Sequence, residues 1–157
     1  RADGAGFASP TRAIYAGGGA SGTTRYDTID YFTIASTGDA TDFGDLVSAR
    51  ENVNGCASNT RGIFAGGYTS GDVIDIIEYI TIASAGNTTD FGDLLATTSN
   101  CNGGTSNQIT AVLHTRTNIL ETVTIASTGN ATDFGDLTSA TVNRTSATSG
   151  SHGGIAA

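Results

Sequence analysis

Thr33-Ile34-Ala35-Ser36-Thr37-Gly38-Asp39-Ala40-Thr41-Asp42-Phe43-Gly44-Asp45-Leu46 is a phrase this chain writes three times, with changes only at the places of Thr37, Asp39 and Ala40. It returns from Thr81 to Leu94 and from Thr124 to Leu137, 48 and then 43 residues further on. A period of this size marks a repeat architecture, in which each unit buries its apolar faces only by stacking on its neighbours. A second block extends the match. Gly6 to Gly18 (G-F-A-S-P-T-R-A-I-Y-A-G-G) corresponds to Gly55 to Gly67 (G-C-A-S-N-T-R-G-I-F-A-G-G), 49 residues apart. The unit is therefore about 48 residues. Residues 1–157 form the repeat region of one all-β domain, phased as units 12–59, 60–107 and 108–150 with partial units at both ends. In the third unit the phase holds from Asn107 to Arg116, with His114-Thr115 read at the place of Gly66-Gly67 and a shorter loop after it.

Each unit reads as four short strands. In the middle unit they lie around Asn52 to Ala57, Gly62 to Ala65, Ile74 to Ala83 and Asp90 to Leu94. The glycine pairs Gly17-Gly18 and Gly66-Gly67 are expected to end the second strand, because glycine accepts positive φ and lets the chain turn. The Ser-Thr-Gly-Asp/Asn cluster before Thr41-Asp42 is a second turn. In the third strand, one alternating set is Ile77, Tyr79 and Thr81, and the other is Glu78, Ile80 and Ile82. Both faces are largely apolar, so both must be covered. About three four-stranded antiparallel blades, forming part of a larger β-propeller ring, satisfy that demand; a β-trefoil of three units is the alternative.

Composition narrows the partners. The chain carries 7 basic and 15 acidic residues for a net charge of −8, with arginine as its only long cation. Such a charge repels phosphate backbones and anionic lipid, so no nucleic-acid partner is expected. No run approaches the roughly 18 apolar residues of a membrane span, so no membrane insertion is expected either. Arg1 to Gly6 lack the charged-then-apolar order of a signal peptide. Methionine is absent, position 1 included, and residues 141–157 repeat the phase of residues 1–16. Both features lead to the expectation of a piece of a longer array, with further repeats of the same chain or other copies as partners.

The residues resemble kelch-type propeller repeats. The resemblance rests on aromatic-Ala-Gly-Gly at Tyr15 to Gly18 and Phe64 to Gly67, on Ile29-Asp30-Tyr31 and Ile77-Glu78-Tyr79, and on Ser48-Ala49-Arg50. It covers nearly the whole chain. Phe43, Phe91 and Phe134 stand where kelch repeats usually place tryptophan, and an aromatic there can still fill the space between blades. The wording T-I-A-S-T-G-N-A-T-D-F-G-D-L is further similar to repeat proteins of marine bacteriophages, cyanophages among them, predicted as tail or virion components. That similarity implies a virion or extracellular location, an oligomer, and other virion proteins as partners. The repeat signature so defined is Gly17, Gly18, Gly66, Gly67, Tyr31, Tyr79, Phe43, Phe91, Phe134, Asp45, Asp93 and Asp136.

No constellation reads as a catalytic set, and no enzyme activity is expected. Asp-Phe-Gly occurs three times without a phosphate-cradling loop or a lysine, which excludes the kinase meaning of that tripeptide. The acids Asp42 and Asp45, Asp90 and Asp93, and Asp133 and Asp136 have two readings, a solvated turn with side-chain caps or a repeated calcium site. The turn is preferred because no third carboxylate sits in the same loop, so no cofactor is assigned. His114 and His152 lack a partner nucleophile in sequence order, and Cys56 and Cys101 stand at non-equivalent positions, better suited to free thiols than to a disulfide. Sequons at Asn87, Asn130 and Asn143 are read as turn chemistry. Arg12 and Arg61 share one phase of the repeat, as do Arg1 and Arg50, and each is read as a hydrogen-bonding tie between blades. Two functions follow: a virion structural, tail-fibre or receptor-binding module, and, as the alternative, a secreted propeller that binds or acts on host-surface glycan through its mouth loops. A ligand site would break the repeat's symmetry, as Thr69 to Asp72 and the stretch His114 to Thr117 do.

Overall fold

The computed structural model describes residues 1–20, 23–98, 103–116 and 118–139. Among these there is no helix, and the strands form three four-stranded antiparallel sheets, each continuous in sequence. The first holds β1 (Ala5–Ala8), β2 (Arg12–Ala16), β3 (Thr28–Thr33) and β4 (Thr41–Asp45) in that order. The second holds β5 (Asn54–Ala57), β6 (Arg61–Tyr68), β7 (Val73–Thr81) and β8 (Thr89–Asp93). The third holds β9 (Gly104–Ser106), β10 (Thr110–Arg116), β11 (Ile119–Thr124) and β12 (Thr132–Asp136). No named strand pairs outside its own sheet, so the shared barrel of the trefoil alternative is not what this pairing builds. The repeat as phased in sequence starts at the second strand of a sheet, whereas each sheet runs from first strand to fourth.

The period-two pattern of the third strand explains the packing. One apolar core joins Ile14, Ile29, Phe43 and Leu46 of the first sheet to Val53, Phe64, Ile80 and Ile82 of the second unit. A second core joins Ile63, Ala65, Ile77, Phe91 and Leu94 to Ala111, Leu113, Val123 and Ile125 of the third. The middle sheet is thus covered on both faces, as its two apolar sets require. The sheets also meet along their first strands, β1 against β5 and β5 against β9.

Three local readings change. β6 does not stop at Ala65 but continues through Gly66-Gly67 to Tyr68, with a bulge between Ala65 and Gly67. Only β2 ends before its glycine pair. The positive φ expected of glycine is there, 63° and 95° at Gly17 and Gly18 and 62° and 119° at Gly66 and Gly67. It serves close approach as much as turning, since a Cβ on Gly17 would lie 2.9 Å from the Arg50 carbonyl oxygen. In the third sheet, Leu113 faces Glu121 as Phe64 faces Glu78, so His114 takes the place of Ala65 and Thr115-Arg116 that of the glycine pair, one residue later than read from sequence. The acids of Asp-Phe-Gly-Asp lie on the edge strands β4, β8 and β12, in line with the strand read at Asp90 to Leu94 and against the solvated turn preferred for their side chains. Within those strands the register skips one residue, Phe43, Phe91 or Phe134, which forms a β-bulge.

Candidate functional site

The repeated residues converge on the seams between successive sheets. Phe43 and Phe91 are buried there, each edge-to-face with the tyrosine of its own third strand, Tyr31 at 6.0 Å and Tyr79 at 6.1 Å between ring centroids. Phe134, at the same place in the third sheet, is exposed. In the first two sheets the edge strand is closed by the turn of the next sheet. Gly86 N donates to Phe43 O at 2.7 Å, Thr88 N to Asp45 O at 2.9 Å, and Asp45 N to Asn87 Oδ1 at 3.0 Å. The next seam repeats the set: Gly129 N to Phe91 O at 2.8 Å, Ala131 N to Asp93 O at 2.8 Å, and Asp93 N to Asn130 Oδ1 at 3.1 Å. The side-chain caps expected at the aspartates therefore come from asparagines one unit away. Asp45 and Asp93 contribute backbone to the seam, and Asp136, on β12, is exposed.

Arginine supplies a second tie. Arg12 stacks on Tyr31 at 4.5 Å and donates from Nη1 to Ile82 O of the next sheet at 2.7 Å. Arg61 stacks on Tyr79 at 4.2 Å and donates to Ile125 O at 2.9 Å. Cation–π contact holds each guanidinium against its own sheet while its free edge reaches across. In the third unit Thr110 and Thr122 replace the arginine and the tyrosine together. The other phase behaves differently in each unit. Arg50 forms a fully buried ion pair with Glu78, which also accepts from Val47 N at 2.9 Å and from Thr88 Oγ1. Arg1 pairs with Asp30 of its own first sheet, part exposed. Thr98 stands in the place of Arg50, and Glu121 accepts instead from Thr115 Oγ1 at 2.7 Å and Leu95 N at 2.8 Å.

Where the first strands meet, a cleft of about 440 Å³ opens between β1, β5 and β9. It is lined by Gly6, Gly55 and Gly104, by Phe7 and Ser106, and by the hairpin residues Pro10, Asn59 and Gln108. Each tip is held by a side-chain cap: Ser9 Oγ accepts from Arg12 N, Ser58 Oγ from Arg61 N, both at 3.1 Å, and Asn107 Oδ1 from Thr110 N at 2.7 Å. The cap repeats while the tip residue varies from Pro to Asn to Gln, a break in symmetry that the shared Ser-x-Thr-Arg of the first two units masks in sequence. Thr69 to Asp72 form a capped hairpin turn away from this cleft.

Cys56 is a buried free thiol in the second core, and burial pushes its pKa up to about 12. Among the described residues no group of three His, Cys, Asp or Glu is placed to hold a metal ion. Cys101, His152, Asn143 and the overlap in residues 141–157 lie outside the described residues. No protein-family model matches the chain, and no curated protein matches it.

Proposed function

We propose that the chain is a structural module of a bacteriophage virion, a tail-fibre or receptor-binding segment without enzymatic activity, built from kelch-like propeller blades. The observation that carries this reading is the use of the repeat: Phe43, Phe91, Asn87 and Asn130 of the repeated phrase, with Arg12, Arg61 and Glu78 outside it, all join one sheet to the next. A phrase repeated for assembly suits a scaffold, and the bacteriophage-like wording suits a particle. The propeller arrangement is supported by first strands lying side by side and by a middle sheet covered on both faces. Its partners would be other virion proteins or further repeats. Mass spectrometry of purified particles is the test; particles that lack the chain would reject the virion reading.

A second reading, a propeller that binds or acts on host-surface glycan, is favoured by the cleft at the first strands. Phe7 offers an apolar face there, and Asn59 and Gln108 offer hydrogen-bonding groups that differ from unit to unit. A glycan array checks it, with Asn59→Ala as the variant expected to abolish any signal.

A further inference from the structure

The face of the first sheet that looks away from the second is built like the buried faces of its neighbours. Tyr15, Phe32 and Ile34 are 54%, 37% and 53% exposed, while their counterparts Phe64, Ile80 and Ile82 are 0%, 2% and 1% exposed. At the other end Phe134 is 58% exposed where Phe43 and Phe91 are 2% exposed. Within the chain the second set always packs on the first, because Phe43 lies in one core with Phe64, Ile80 and Ile82. The hydrogen-bonding halves are separated in the same way. The edge strand β12 carries the acceptors and donor that β4 and β8 use, and the turn Gly38-Asp39-Ala40 corresponds to the turns that close them. Arg1, in the phase of Arg50, already neutralises Asp30, the counterpart of Glu78.

We infer that these two surfaces bind each other between copies of this chain: the outer face of the first sheet, with Tyr15, Phe32 and Ile34, receives Phe134 and the β12 edge of a second copy. The contact is heterologous, head to tail, and therefore either closes or polymerises. Three sheets from each of two copies make six blades, within the usual range of four to eight, so a ring built from this contact closes with two copies of these three sheets. That number rests on the propeller reading above; the contact itself rests on the seam chemistry alone. Thr110 stands where Arg12 and Arg61 make their ties, so this seam has fewer bonds than the two internal ones and opens on dilution.

Sedimentation velocity on the full chain at micromolar concentration tests the inference. The expected result is a dimer, reduced to monomer by Ile34→Asp and equally by Phe134→Asp, both at exposed positions that leave the internal cores intact. An equimolar mixture of the two variants restores a dimer, because one intact seam can still form between them. A wild-type chain that is monomeric throughout, as when residues 141–157 cover a face of their own chain, overturns the contact and leaves the propeller reading standing. A dimer broken by Ile34→Asp but indifferent to Phe134→Asp overturns it as well, since two first sheets would then be meeting face to face. An open series of polymers rejects the closed ring of six and the blade geometry behind it.

Discussion

The guanidinium of Arg50 and the carboxylate of Glu78 pair across the first seam with neither side chain reaching water. A buried ion pair owes little net stability to its own attraction, but removing one partner strands the other charge at a cost of about 3–5 kcal/mol. Arg50→Ala is expected to cost that much in urea unfolding. Arg1→Ala removes the equivalent pair with Asp30, which is part exposed, and is expected to cost under about 1 kcal/mol. Similar losses for the two would mean that burial of the Arg50 pair is not what sets its weight.

The aromatic of the repeated phrase offers a contrast at constant chemistry. Phe43→Ala and Phe91→Ala each open a cavity in a seam and are expected to cost about 3–5 kcal/mol. Phe134→Ala, at an exposed site, is expected to stay within about 0.5 kcal/mol when measured at high dilution. Thermal melts of the three variants settle the order.

Those three phenylalanines show where sequence reading reaches and where it stops. The two-faced burial of the middle sheet was legible because Ile77 and Tyr79 alternate with Glu78, Ile80 and Ile82, and a period of two needs only neighbours in sequence. The role of Arg12 and Arg61 as ties was legible from their shared phase. The bulge at Phe43, Phe91 and Phe134 was not, since it depends on strand register, and a one-residue slip leaves composition unchanged. The strand over Asp90 to Leu94 was legible, while the solvated-turn reading of its aspartates fails because it ignores that register. The partners of Arg50 and Asn87 were out of reach because each bonds a residue of another unit, which local propensity does not encode. The cleft at the first strands was not legible because Gly6, Gly55 and Gly104 line it, and glycine in sequence signals only a turn.

Cys56 makes the stability of the fold depend on alkaline pH. Its thiol titrates near 8.5 in an unfolded chain and at about 12 when buried. Between those values the unfolded state releases a proton that the folded state keeps, so stability is complete below about pH 8.5 and falls as pH rises, by about 1.4 kcal/mol per unit. Urea midpoints at pH 8 and pH 10 on a Cys101→Ser background are expected to differ by more than they do once Cys56→Ala is added. An unchanged difference would remove the thiol as its cause.

The glycine of Asp-Phe-Gly-Asp separates backbone strain from assembly. Gly44, Gly92 and Gly135 share nearly one conformation, with φ of 145°, 149° and 139°. Their surroundings differ. A Cβ on Gly44 would stand 2.5 Å from Gly86 O, and one on Gly92 2.5 Å from Gly129 O, whereas one on Gly135 would meet nothing within 4 Å. Alanine at Gly135 therefore bears only the left-handed backbone, at about 1 kcal/mol or somewhat more. Alanine at Gly92 bears that and also pushes away the turn whose three hydrogen bonds close the edge strand, each worth about 1 kcal/mol. Gly92→Ala is expected to exceed Gly135→Ala by about 2–3 kcal/mol, and to abolish hydrogen-exchange protection at the Asp93 amide, which donates to Asn130. Equal costs, with the Asp93 amide still protected, would mean that the turn does not need this glycine to reach the edge.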